Sequence, residues 1–202
     1  RTANKHIIIT TGHSDEAQEK NAIDFLISRK CDALILLTDS VDDDYLISIS
    51  KNIPTVLVNR KIDGIANNCI SLNNEQGGYL ATKHLLEQGH RDIAYISGPL
   101  SKQDASERLI GHKNALTEFN LEFNNDLFFE GNFLTKSGQI GIQKLLEEKQ
   151  KFTAISCAND EMASGAMRGA RDFNLDIPTD CSIIGFDNEF FTEYLYPQLS
   201  TV

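Results

Sequence analysis

Residues 152–188, FTAISCANDEMASGAMRGARDFNLDIPTDCSIIGFDN, read as strand, helix, strand. The apolar run 153–158 has the length of a buried strand. Asn159 can cap a helix whose first turn carries Asp160 and Glu161, charges that suit the positive end of the helix dipole. That helix ends near Phe173 and Asn174. Ile177 and Pro178 break the chain before a second apolar strand at 182–186. Two parallel strands joined by a helical crossover form a βαβ unit. Each strand stops on polar residues, Asn159-Asp160 and then Asp187-Asn188. Ligands of open α/β sheets lie at the carboxyl ends of strands, so the unit proposes a binding edge.

The same alternation runs through the rest of the chain. Strands are expected at 6–10 (HIIIT), 32–37, 54–58, 69–72, 92–96 and 127–130. A helix capped by Ser14 should carry Ala22, Phe25 and Leu26 on one face, and Asp42-Asp43-Asp44 precedes the next one. That triplet lacks the spaced oxygen ligands of a calcium loop and reads as a charge cluster at a helix start. Residues 73–76 resemble a capping box opening a helix that runs to Gln88. Helices at 104–119, with Leu109, His112, Leu116 and Phe119 on one stripe, and at 135–148 complete the pattern. The fold class is therefore α/β with parallel sheets.

At 202 residues the chain can bury a sizeable core, as one large domain or two small lobes. A net charge of −10 argues against gripping phosphate backbones, which requires Lys and Arg to displace counterions. No apolar run approaches the roughly 20 residues of a membrane helix, and no signal-peptide pattern is present. Cys31, Cys69, Cys157 and Cys181 are scattered without a CxxC pair, consistent with reduced thiols and a cytoplasmic setting.

Catalytic signatures are missing. There is no GxxxxGK[ST] loop, His84 and His90 lack HExxH spacing, and Gly12-His13-Ser14 is not a nucleophile elbow. The sequence thus points to no cofactor and no metal. What remains are polar residues just past strand ends: Asn59-Arg60, Ser97, Asn159-Asp160 and Asp187. Each has a plain structural reading, as a cap, a solvated loop charge or a turn. Together, carboxylate, carboxamide and guanidinium groups make a fork of donors and acceptors suited to polyhydroxylated ligands.

Five stretches then carry a family resemblance: HLLEQGHRDIAYISGP (84–99), SERLIGHKNAL (106–116), GNFLTKSG (131–138), CANDEMASGAMRGARDFNLDIPTDCSIIGFDN (157–188) and YPQLSTV (196–202). In order and spacing the chain resembles the effector-sensing core of LacI/GalR-type transcription regulators, which share their fold with ribose-type periplasmic binding proteins. The resemblance implies two Rossmann-like lobes of parallel sheets with a ligand cleft between them. It implies an incomplete N-terminal lobe over 1–74, a C-terminal lobe over 75–198, and a strand at 199–202 returning to the first lobe. The family's helix-turn-helix, first strand and first helix are expected to lie outside these residues.

The resemblance also implies a site. Arg108 stands at the effector-contacting arginine and Phe133 at the aromatic that stacks on the ligand ring. Asn159 and Asp187 stand at hydroxyl-binding positions, and Arg60 at the arginine of a strand-end Asp-Arg pair. Three departures stand out: Asn59 replaces that aspartate, His112 replaces an aromatic, and Asp104 stands where a small hydroxyl residue is usual. A carboxylate at Asp104 favours a sugar over a phosphorylated effector. The implied protein is a homodimeric regulator, a repressor that senses a small metabolite, most simply a sugar, and binds operator DNA through a segment absent from this chain. One alternative is a periplasmic or lipid-anchored sugar-binding protein of a transporter. Another is a carbohydrate enzyme using Asp160 and Asp187 as a carboxylate pair.

Overall fold

The computed structural model describes residues 6–202, and the chain divides into a unit ending at Leu72 and a second spanning Asn73–Val202. The first unit holds helices α1 (Glu16–Ser28) and α2 (Asp43–Ser50) and strands β1 (Leu34–Leu36), β2 (Thr55–Val58) and β3 (Cys69–Ile70). The strands form a parallel sheet in the order β1-β2-β3. One face, with Leu34, Leu36 and Leu57, packs with Ile23 of α1 and Leu46 and Ile49 of α2. The opposite face leaves Ile35 and Ile70 exposed.

Carboxylates start both helices. Asp15, not Ser14, caps α1 by accepting from the Gln18 amide at 2.9 Å. Asp42 caps α2 by accepting from Tyr45 at 2.8 Å, and Lys20 pairs with it at 2.7 Å. The acidic triplet is thus the helix start that the sequence suggested.

Two further expectations in this unit are corrected. Residues 6–10 form no strand, and Ile7 and Ile9 are 85% and 87% exposed. β-propensity alone does not hold a strand; a ladder partner and a covered face do, and no described strand pairs with this run. Phe25 also lies outside the core. Helical phase puts Ile23 inward, and the Arg29 guanidinium sits 5.0 Å over the Phe25 ring.

The second unit comprises α3 (Asn74–Glu87), β4 (Ile93–Ser97), α4 (Gln103–Glu118), β5 (Phe128–Glu130), α5 (Thr135–Glu147), β6 (Ala154–Cys157), α6 (Asp160–Asp172), β7 (Ser182–Gly185) and β8 (Ser200–Thr201). All pairings are parallel, in the order β5-β4-β6-β7-β8. Residues 199–202, expected to return to the first lobe, here include the edge strand β8 beside β7. Ile93, Ala154 and Ile184 pack with Ala81, Leu85 and Leu116 of α3 and α4. Ile96 and Ile155 pack with Ile142 of α5 and Ala163 and Ala166 of α6. At the amino ends of the strands, His90 joins β6 to β7 by bonding Thr153 at 2.8 Å and Ser182 at 3.1 Å.

Glycines set the spacing of both helix pairs. A methyl on Gly78 or Gly111 would overlap the carbonyl oxygen of Arg108 or Glu75 across the α3–α4 contact. A methyl on Gly138 or Gly165 would overlap that of Met162 or Thr135 across the α5–α6 contact. Backbone cannot yield as a side chain end can. Gly165→Ala is therefore expected to destabilise the protein by about 1–3 kcal/mol, despite alanine's better helix propensity. Urea unfolding measures the loss.

Candidate functional site

The strand order reverses direction at β4: the chain leaves it for β5 on one side and comes back to β6 on the other. Open α/β sheets bind ligands at such a switch point, beyond the carboxyl ends of the strands. Ser97 ends β4, Asn159 follows β6 and Asp187 follows β7, so these residues lie along one edge.

Arg108 is the centre of that edge. It lies on the second turn of α4 and is only 6% exposed. Nε donates to Asn74 Oδ1 at 2.9 Å, and Nη1 donates to the Ala158 carbonyl. Nη2 lies 3.5 Å from Asp187 Oδ1, and the guanidinium carbon lies 3.7 Å from the centre of the Phe186 ring. Phe186 is held in turn against Gly77, where any side chain would strike the ring. Burial lowers the Arg108 pKa from its ordinary value, and Asp187 and then Asp104 act against that shift. The plane of the guanidinium is thus fixed by a ring, two hydrogen-bond acceptors and the Asp187 carboxylate. Each Nη atom carries a second hydrogen besides.

Asp187 occupies a strained turn, with φ at 107°, and its amide donates to the Val202 carbonyl at 2.9 Å. Burial pushes its carboxyl pKa up to about 6 despite the opposing pull of Arg108. Asp104, in the first turn of α4, is half-buried, and its Oδ1 accepts from the Ala105 amide at 2.8 Å. Phe133 has φ at 67° and lies against Gly98, where a methyl would meet the ring. Asn159 does two structural jobs at once. Its Oδ1 caps α6 through the Met162 amide at 3.0 Å, and its Nδ2 donates to the Phe133 carbonyl at 2.9 Å.

The second unit therefore brings together Asp104, Arg108, Phe133, Asn159 and Asp187. Arg60 belongs to the first unit, where Nη1 donates to the Val41 carbonyl at 2.7 Å and Nη2 pairs with Asp43 at 2.6 Å. Asp160 has no exposed surface, and both its oxygens accept from protein donors. That leaves it no access to a ligand proton. Among the described residues, no group of three His, Cys, Asp or Glu side chains could hold a metal ion, and no helix is long and apolar enough to cross a membrane. Sequence reading missed Asn74 and Phe186. Both lie where a signal existed: Asn74 inside the capping stretch, Phe186 just before Asp187 at the end of a strand.

Known proteins share this architecture. The family described as periplasmic binding protein-like domain matches residues 82–202. The HTH-type transcriptional regulator GalR of Escherichia coli (strain K12) is 38% identical over 197 residues, covering 97% of this chain and 57% of that protein. The HTH-type transcriptional repressor PurR of Aliivibrio salmonicida (strain LFI1238) is 36% identical over 190 residues, covering 93% and 57%. A sugar-binding transcriptional regulator of the LacI family from Escherichia coli, solved with phosphate, gives a TM-score of 0.86 at 30% identity and covers 94% of this chain and 69% of that one. The chain thus spans under two thirds of those curated relatives. The fold is that of the periplasmic-binding-protein-like class of domains. Within that class, the chain belongs to the LacI/GalR family of transcription regulators.

Proposed function

We propose that these residues form the effector-sensing domain of a repressor that binds a small polyhydroxylated metabolite, a sugar in the first instance. The observation that carries the reading is the Arg108 guanidinium, immobilised on Phe186 with Asp187 at 3.5 Å and free hydrogens remaining. Such a fork meets vicinal hydroxyls with a donor and an acceptor together, while Phe133 offers an apolar ring face. Asp104 adds a second carboxylate to the same edge, which favours a neutral sugar over a phosphorylated one. The sugar-binding relative supports that choice of ligand.

In the whole protein, the effector would bias a homodimer between two arrangements, and a helix-turn-helix outside these residues would bind operator DNA in the cytoplasm. The acidic balance of this segment, −10, fits a division of labour in which another segment meets DNA. A thermal-shift panel of neutral sugars, sugar phosphates and purines tests the reading. A ligand at 100 times its Kd stabilises by about 2.7 kcal/mol. No shift with any of the three classes would refute metabolite sensing.

A pH dependence follows. A hydroxyl donating to Asp187 needs the ionised carboxylate, whose pKa is about 6. Sugar affinity should therefore hold above pH 7 and fall roughly tenfold by pH 5. Asp187→Asn should bind weakly at every pH, with a flat profile. Calorimetric titration across pH 5–8 checks both.

A further inference from the structure

We propose that Asp160 is a positioning residue that, through Thr201, fixes the turn presenting Asp187 to the ligand. This inference rests on the effector-binding reading above. Asp187 and Asn188 have φ of 107° and 51°, a left-handed region that side-chain-bearing residues enter at an energetic cost. Such a turn persists only where its surroundings hold it.

Asp160 is where the holding groups meet. Its amide donates to the Phe186 carbonyl at 2.8 Å. Its Oδ2 accepts from the Glu189 amide at 2.8 Å, and its Oδ1 accepts from the Thr201 hydroxyl at 2.6 Å. Thr201 Oγ1 accepts in turn from the Asn188 amide at 3.2 Å, and the Val202 carbonyl accepts from Asp187 at 2.9 Å. The Phe186 carbonyl and the Asp187, Asn188 and Glu189 amides thus all end on Asp160, Thr201 or Val202. Gly185 is part of the device, because a methyl there would strike Asp160 Oδ1. A carboxylate serving only the dipole of α6 would need none of these bonds beyond its own helix. Fully buried, Asp160 acts through the turn and not on the ligand.

Thr201→Val removes the hydroxyl while keeping Asp160 and the β-branched shape. Amide hydrogen exchange at residues 187–189 should speed up about tenfold or more, with α5 amides unchanged, since the turn loses the hydroxyl that bridges the Asn188 amide to Asp160. The neutral monosaccharide giving the largest thermal shift should bind about tenfold more weakly. Thr201→Ser, which restores the hydroxyl, should bring both readouts back to wild type. Asp160→Asn is the second variant and should loosen the same amides. Wild-type exchange at 187–189 in Thr201→Val overturns the clamp. Faster exchange with unchanged sugar affinity overturns the positioning role. If no sugar binds the wild-type protein, the exchange result still decides the clamp, and the effector reading is what has failed.

Discussion

Arg108→Ala should weaken binding of the best-stabilising monosaccharide by about a hundredfold or more, because truncating a buried, hydrogen-bonded charge typically costs about 2–5 kcal/mol. Asn74 Oδ1 and the Ala158 carbonyl lose their donor, and Asp187 loses its ion-pair partner. The Phe186 face is bared as well. The ligand-free protein should accordingly lose about 2–4 kcal/mol of stability, seen as a lower urea midpoint. Arg108→Lys separates charge from geometry. An ammonium keeps the charge but cannot stack on the ring while serving two acceptors and pairing with Asp187 from one plane. Its affinity should sit much nearer to alanine than to arginine. Wild-type sugar-induced stabilisation in Arg108→Ala would remove the guanidinium from the site and the fork argument with it.

How far the sequence foretold this site depends on the range of the interactions involved. Caps such as Asn73 and Asn159 were legible because the acceptor and its amide sit three residues apart. The strand–helix–strand unit was legible for the same reason: apolar runs and their punctuation are local. The position of Asp187 at a strand end followed from that unit. What Arg108 touches did not. Its partners come from α3, from the end of β6 and from the turn after β7, and no spacing rule links residues 74, 108, 158 and 187.

Arg60 shows the same limit from the other side. It is a strand-end arginine by sequence, yet two of its nitrogens are engaged by Val41 and Asp43 of its own unit. Asp160 looked like a first-turn carboxylate and became the anchor of a turn 27 residues further on, since its bonds to Glu189 and Thr201 are set by the β6-β7-β8 order. The failure at 6–10 has a single cause. Isoleucine-rich runs advertise strand propensity, but pairing is decided by what lies alongside.

Acid sensitivity should be dominated by His112, a departure from the aromatic expected at that position. The ring is fully buried beside Tyr95 and edge-on to Phe123; Nδ1 bonds Thr82 at 2.8 Å, and Nε2 has no partner among the described residues. Burial depresses its pKa to about 3. The folded state therefore favours the neutral ring, while the unfolded chain takes up a proton below about pH 6.5. Stability attributable to His112 is full above that value and falls by about 1.4 kcal/mol per pH unit below it, reaching roughly 5 kcal/mol near pH 3. Asp187 works in the opposite sense. Its folded pKa of about 6 exceeds the ordinary 3.8, so its contribution grows as pH falls from 6 towards 4. With 33% of its side chain exposed, solvent screens that gain. The wild-type profile should slope gently between pH 6 and 4 and steepen below. Asp187→Asn should expose the full His112 slope from pH 6.5 downward. His112→Phe should remove it, with the Thr82 hydroxyl free to turn to a backbone carbonyl of its own helix. Urea titrations at half-unit pH steps separate the two groups. An acid limb unchanged in His112→Phe would place the acid sensitivity elsewhere.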